Sequence, residues 1–381
     1  MLKNIICDRI IKEGPITFET FMDMALYYPE LGYYSKPEAA IGKGGDFYTS
    51  PHLHPIFGAI LCRQLIEMWE LMDRPAVFHA VEMGAGSGYL CRDIMDYLIN
   101  TVNKADNQDA AKNFKKCLHY VIFEPYDHFK QMQRHTLLEH NLNVAWITSL
   151  DELGRIEGCV LSNELIDAFP VHVIEMGKEP KEMYVTIHKQ ELVEDKAGVS
   201  SDEIQKYIDR FEIPMLDGYR TEINVRIKSW LQKISSVLSH GFILTIDYGY
   251  TAREFYSADR SKGSLLCYHR HEVNENPFHN IGSQDITSHV NFSSLKIWGE
   301  EAGLRTCGYS SQGIYLTASG IDEIIVELYK GSPDYMREIS RIKGLILPQG
   351  MGESHRVLIQ YKGEGTPTLR GFSIRNETGN L

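Results

Sequence analysis

The stretch Val81-Glu82-Met83-Gly84-Ala85-Gly86-Ser87-Gly88 constrains this 381-residue chain more than any other feature. It follows an apolar run, Val77–Met83, that reads as a buried strand, and it precedes apolar residues at helical spacing near 88–100. Glycine permits the tight turn from strand to helix and lets a ligand approach the backbone with no Cβ in the way. The spacing is Gly-x-Gly-x-Gly, whereas the dinucleotide fingerprint is Gly-x-Gly-x-x-Gly. Glu82 ends the strand, and a carboxylate there disfavours a pyrophosphate but suits the ammonium of a methionine moiety. A second acid, Glu124, ends the next predicted strand in Val121-Ile122-Phe123-Glu124-Pro125. A carboxylate at that place accepts hydrogen bonds from two ribose hydroxyls. Glu82, Gly84, Gly86, Gly88 and Glu124 together imply S-adenosylmethionine as cofactor and S-adenosylhomocysteine as product. The plainer reading, a connecting turn with Glu124 solvated, leaves the agreement of strand, turn, helix and second acid unexplained.

The rest of the chain alternates in the same way. Val77–Met83, His119–Glu124, Asn143–Trp146, Cys159–Asn163 and Gly241–Asp247 are strand candidates, with helices near 88–100, 127–139 and 222–239. This predicts an α/β architecture, Rossmann-like, with a mostly parallel seven-stranded sheet and helices on both faces. Residues 1–75 read as a helical N-terminal extension, apolar at helical spacing over Ile5–Ile11, Thr17–Leu26 and Phe57–Leu71. A Gly-rich break, Gly42 to Pro51, interrupts it. Residues 76–169 form the first part of the cofactor-binding domain and 222–362 its remainder. Residues 170–221 are an insertion that opens with a hairpin (Val171–Met176, Met183–Ile187) and continues as a polar, acidic segment. Residues 250–290 are a loop-rich second insertion. Insertions on a rigid sheet are where substrate specificity usually resides. A helix near 292–303, helical turns near 320–342, a strand at Arg356–Tyr361 and a polar, mobile tail from 363 to 381 complete the reading.

Composition narrows the partners. Lys+Arg 39 against Asp+Glu 51 gives a net charge of −12, which argues against nucleic acid, since tracking phosphates needs clustered cations. A small ligand or a locally basic protein target fits better. The seven cysteines are scattered with no Cys-x-x-Cys pair, as expected of reduced thiols in the cytoplasm. No secretory apolar region opens the sequence, Asp8, Glu13 and Glu19 disfavour a transit peptide, and no apolar stretch reaches membrane-spanning length. No membrane insertion is expected.

The acceptor site is sought at the fourth strand, which runs into Leu161-Ser162-Asn163-Glu164-Leu165-Ile166-Asp167-Ala168-Phe169-Pro170. Ligands of open α/β sheets bind outside the carboxyl ends of the strands. Asn163, Glu164 and Asp167 enter an otherwise apolar run there, and buried acids need polar partners. Capping of the following turn is the alternative, most of all for Asp167. Two carboxylates suit a guanidinium, which pairs with carboxylates through parallel hydrogen bonds. Glutamate is too weak a base to deprotonate arginine. Its use is to concentrate the cation's charge away from the attacking nitrogen and to aim that nitrogen. Asp247-Tyr248-Gly249 at the fifth strand's end, and His289, are candidate substrate contacts. His52-x-His54 and His269-x-His271 resemble metal ligands, but no Cys or carboxylate joins them at ligand spacing and methyl transfer from a sulfonium needs no metal. No metal is expected. A serine hydrolase is excluded by the lack of a Gly-x-Ser-x-Gly elbow.

Taken together, several motifs resemble the MidA family of bacterial and mitochondrial complex I assembly-factor methyltransferases. They are Gly45-Asp46-Phe47-Tyr48-Thr49-Ser50-Pro51 with Phe57-Gly58, the Glu82–Gly88 turn, and Asn163 to Val171. Ile246-Asp247-Tyr248-Gly249-Tyr250, Gly263-Ser264-Leu265 with His271, Asp285-Ile286-Thr287 with His289-Val290, and Leu347-Pro348 with Met351-Gly352-Glu353 continue the match in order. The resemblance implies a class I methyltransferase fold and a protein substrate, methylated symmetrically on arginine in a core subunit of NADH–quinone oxidoreductase. It assigns Glu164 and Asp167 to the acids after the fourth strand. It also makes Gly45, Asp46, Thr49 and Ser50 part of a loop covering the cofactor, and admits a homodimer. His52-Leu53-His54 departs from the family, which more often has an acid and a small residue there. Two rivals stand beside the arginine reading: transfer to another nucleophile or small molecule, and a cofactor-binding assembly factor or chaperone without turnover.

Overall fold

A computed structural model describes residues 1–36, 49–103, 109–138, 143–270 and 272–381. The chain divides into two compact units, each assembled from interleaved segments. An α/β unit takes Tyr48–Leu165, Trp230–Gly249 and Leu295–Leu381; a β-rich unit takes Met1–Phe47, Ile166–Ser229 and Tyr250–Ser294.

The strands of the α/β unit are β1 (Phe78–Met83), β2 (Leu118–Phe123), β3 (Val144–Ile147), β4 (Ile156–Asn163), β5 (Leu238–Tyr250), β6 (Arg305–Ser311) and β7 (His355–Lys362). They lie in the order β3-β2-β1-β4-β5-β7-β6. Pairs among β1 to β5 are parallel, whereas β7 runs antiparallel to both β5 and β6. The sheet is therefore mixed, with its parallel part where the strand–helix alternation predicts it. The order reverses between β1 and β4, the place where doubly wound sheets bind ligands. Helices α1 (Ile56–Leu71), α2 (Tyr89–Asn103) and α3 (Asp127–Leu138) accompany these strands. Helix α2 buries Leu90, Cys91, Ile94, Met95 and Leu98, a helical spacing that turns one stripe to the core. Phe57, Leu65, Phe78, Phe114, Leu161, Phe242 and Ile359 belong to that same core.

Two glycines let the central strands come together. Gly241 on β5 pairs with Gly158 on β4, and Gly158 pairs with His79 on β1. Both glycines have positive φ, 136° and 142°. A Cβ on Gly158 would stand 2.1 Å from the His79 carbonyl oxygen, and one on Gly241 1.9 Å from that of Gly158.

The β-rich unit holds an antiparallel sheet of Ile16–Thr17, Lys181–His188, His172–Glu175 and Arg220–Ile223, with Glu191–Ala197 paired to Lys181–His188. The expected hairpin is present, and the acidic segment after it is a further strand with mostly exposed side chains. A second antiparallel sheet joins Glu272–Asn274, Leu266–His269 and Asp285–Thr287. The helix Phe18–Tyr27, capped by the Thr17 hydroxyl, buries Phe18, Phe21 and Met22 with Val173, Val185 and Ile286.

Residues 363–381 differ from the mobile tail expected from their polarity. Leu369 and Phe372 are buried, the Arg370 amide donates to Glu67, and the Phe372 ring lies over Gly308. Two large apolar anchors outweigh a polar average, because each stabilises by about 1.5–3 kcal/mol on burial.

Gly158→Ala should combine backbone strain with a clash against a carbonyl that cannot move aside. The expected loss is at least about 2 kcal/mol, measured by urea unfolding of the whole chain; a variant as stable as the parent would contradict this packing.

Candidate functional site

Gly84, Gly86 and Gly88 all adopt positive φ (76°, 50° and 82°), a backbone shape that other residues adopt only under strain. A Cβ on Gly84 would stand 2.9 Å from Leu165 Cδ1, and one on Gly88 3.4 Å from Gln133 Cα. The Gly88 amide donates to the Ala85 carbonyl at 2.8 Å, closing the turn that opens α2.

Both acids at this rim are buried. Glu82 accepts from the Tyr120 hydroxyl at 2.6 Å. Burial pushes its pKa up to about 7, against the pull of that hydrogen bond and with help from Asp93. Glu124 accepts from the Tyr126 amide at 3.0 Å and from Gln133 Nε2 at 2.9 Å. Burial raises it, too, to about 7, opposed by those two bonds and by Lys130. Gln133 Nε2 also donates to the Gly86 carbonyl, and its Oε1 accepts from Trp146 Nε1. One fully buried amide thus ties the glycine turn to the second acid and to β3. Gln133 and Tyr120 are not identified from the sequence. A signal for Gln133 exists: it stands between Phe129 and Leu137 on the buried face of α3, a polar residue in an apolar stripe.

The turn after β4 is tightly specified. Glu164 has φ 51°, in the left-handed region that costs a non-glycine residue about 1 kcal/mol or more. Its amide donates to the Ile246 carbonyl on β5, and the Leu165 amide donates to Asp247 Oδ2 at 3.2 Å. Asp247 is fully buried and its Oδ1 accepts from the Tyr248 amide. Glu164 Oε1 accepts from the Ser50 amide and from Asn163 Nδ2, each at 3.2 Å. His355 Nε2 lies 3.6 Å from the same oxygen. Ser50 is held in turn, its hydroxyl 3.1 Å from Gln312 Oε1 and 3.3 Å from Met351 Sδ.

The α/β unit therefore gathers Glu82, Gly84, Gly86, Gly88, Glu124, Ser50, Asn163, Glu164, Asp247 and Tyr248 at one end of its sheet. Asp167 and His289 fall in the β-rich unit, where the Ser288 amide donates to the Asp167 carbonyl and the His289 amide to Ser264 Oγ. Gly45 and Asp46 lie outside the described residues, as does His271. Thr49 and His52 engage each other, Oγ1 to Nδ1 at 2.6 Å, while His54 Nε2 pairs with Glu338 at 2.9 Å. His52 and His54, one of the two pairs weighed as metal ligands, thus hold different parts of the fold.

Two buried, partly neutral carboxylates beside a turn whose three glycines all have left-handed backbone fit a ligand that carries an ammonium, a ribose and a thioether. Strand order and turn together define a class I S-adenosylmethionine-dependent methyltransferase. A family model described as "Putative S-adenosyl-L-methionine-dependent methyltransferase" matches residues 60–310, and the chain belongs to that family. It is similar to the mitochondrial protein arginine methyltransferase NDUFAF7 of Homo sapiens, with 27% identity over 93% of this chain and 81% of that protein. The Drosophila melanogaster homologue is 25% identical over 93% of this chain and 83% of its own length. A Burkholderia thailandensis protein crystallised with S-adenosyl-homocysteine superimposes with a TM-score of 0.87 at 27% identity, covering 100% of this chain and 96% of that one. These relatives bear out the MidA resemblance. Among the described residues no helix is long and apolar enough to cross a membrane.

Two outcomes follow for the cofactor. Gly84→Val should abolish binding of S-adenosylhomocysteine in calorimetry, because the backbone there is left-handed and Leu165 occupies the space; retained affinity would contradict the assignment. Second, an ammonium and ribose hydroxyls favour the ionised carboxylates, whose free pKa values lie near 7. Binding therefore releases protons, so S-adenosylhomocysteine affinity should rise from about pH 5.5 to 7.5, by up to roughly tenfold per unit for each acid, and then flatten. Glu82→Gln should make the rise shallower. A flat or falling profile over that range would count against both acids.

Proposed function

We propose that this methyltransferase acts on an arginine side chain of a protein partner, with Glu164 holding the guanidinium. One observation carries the reading. Among the described residues both groups that donate to the Glu164 carboxylate, the Ser50 amide and Asn163 Nδ2, are directed at Oε1, which leaves Oε2 to accept from a substrate N–H. A carboxylate fixed on one oxygen presents the other in a set direction. Its backbone is held in a strained conformation beside the cofactor turn, where strain is characteristically stored at functional sites.

The chemistry asked of this chain is modest. The bound cofactor would supply an electrophilic methyl group, with the C–S electron pair kept on sulfur as the N–C bond forms. Glu164 draws the guanidinium charge toward one nitrogen, so that another keeps enough electron density to attack in line. The methylated nitrogen would give up one proton to solvent. Asn163 and the Ser50 amide keep the carboxylate oriented, and Asp247 keeps the turn that carries it. Asp167, three residues on in sequence, stands as the second candidate acid, and Tyr248 and His289 as candidate acceptor contacts. Thr49, Ser50 and the segment containing Gly45 and Asp46 are assigned to covering the cofactor.

The relatives named protein arginine methyltransferases support the acceptor class, and the net charge of −12 suits a basic target segment. On the motif resemblance the target is a core subunit of NADH–quinone oxidoreductase and the product is symmetric dimethylarginine. All seven cysteines are free, which supports a reducing compartment such as the cytoplasm; the relatives cited carry mitochondrial names.

Glu164→Gln should leave S-adenosylhomocysteine affinity within about twofold and slow methyl transfer by roughly a hundredfold. Mass spectrometry of the proteome with and without the gene should reveal a methylarginine that depends on it. Loss of a methyl mark on a small molecule alone, or full activity in the glutamine variant, would overturn the reading.

A further inference from the structure

We infer that His355 is a positioning residue for Glu164, closing on Oε1 as the substrate cation engages Oε2; this rests on the role proposed for Glu164. His355 opens β7 and pairs with Tyr248 on β5, their rings meeting edge to face at 5.7 Å. The imidazole is only 6% exposed. Its Nδ1 is 3.0 Å from the Ser354 hydroxyl, while its Nε2 is buried and has no hydrogen-bond partner among the described residues.

That orphaned nitrogen is 3.6 Å from Glu164 Oε1, too far for a hydrogen bond but short of one by only about half an ångström. A buried N–H without a partner is costly, and a hydrogen bond to the ionised carboxylate would relieve that cost. In the proposed tautomer the Ser354 hydroxyl donates to Nδ1, which makes Nε2 the N–H that faces Glu164. Ser50 and Asn163 supply two neutral donors at 3.2 Å. On closing from 3.6 Å, the imidazole would supply a third from another strand, fixing the plane of the carboxylate as well as its position. A plane fixed from three sides aims Oε2.

The test uses the full chain, tritiated S-adenosylmethionine and lysate protein from a strain lacking the gene, with label read as methylarginine after acid hydrolysis. His355→Phe keeps a ring against Tyr248 but removes the donor. Its rate at saturating S-adenosylmethionine should fall at least about tenfold, with the KM for S-adenosylmethionine within about twofold of the parent. His355→Gln, which restores an N–H near the Nε2 position, should recover most of the rate, and Ser354→Ala should fall between. A His355→Phe rate within about twofold of the parent, or equal losses in the Phe and Gln variants, would overturn the inference. Label on another amino acid would refute the arginine reading alone, and the same rate ratios on that acceptor would still decide the role of His355. One readout needs no acceptor: the nitrogen-15 spectrum of the imidazole should show the Nε2-protonated tautomer, and the Nδ1-protonated form would refute the proposal.

Discussion

Gly84 has a left-handed φ of 76° and lies against the Leu165 side chain, and much of the site follows from that closeness. Neighbouring β1 and β4 run parallel in register from His79↔Gly158 to Met83↔Ser162, so the turns that leave them emerge side by side. One turn is glycine because its backbone is left-handed, and the other packs on it. The packed residue, Leu165, is in turn held by Asp247 from β5. Cofactor turn, acidic turn and third strand thus form one mechanical unit. A change in any of them is felt at the carboxylate of Glu164.

Electrostatics follow the same division. Burial raises the pKa of Glu82 and of Glu124 to about 7, so much of their charge would develop as a partner arrives. Glu164 is surrounded by donors on one oxygen and differs from both in having its backbone strained. Two acids await a ligand by being desolvated and a third by being aimed. That contrast keeps three acids at one rim of the sheet without full charge on all of them.

The cofactor end of the site was legible in the sequence because it rests on local patterns: glycine spacing, strand-ending acids and a following helix. The parallel strands were legible as apolar runs. What escaped depends on long-range pairing. Strand β6, Arg-Thr-Cys-Gly-Tyr-Ser-Ser, carries no apolar alternation and is a strand because β7 supplies its partners. Gln133, Tyr120 and His355 reach the site from elements with no motif of their own. The strained φ of Glu164 is invisible in composition, since glutamate gives no hint of left-handed backbone. The final segment differs from expectation for a related reason, as Leu369 and Phe372 are two buried anchors in a nineteen-residue segment of mostly polar residues and glycine.

The place of β7 has a consequence for how such a chain is made. It lies between β5 and β6, yet it is synthesised after both. Until residues 355–362 emerge, β5 presents an unpaired edge and β6 has no neighbour, so the nascent sheet cannot close in the order in which it is translated. Open edges of that kind invite pairing with other chains. A ribosome pausing between β6 and β7 would therefore prolong the exposure of those edges.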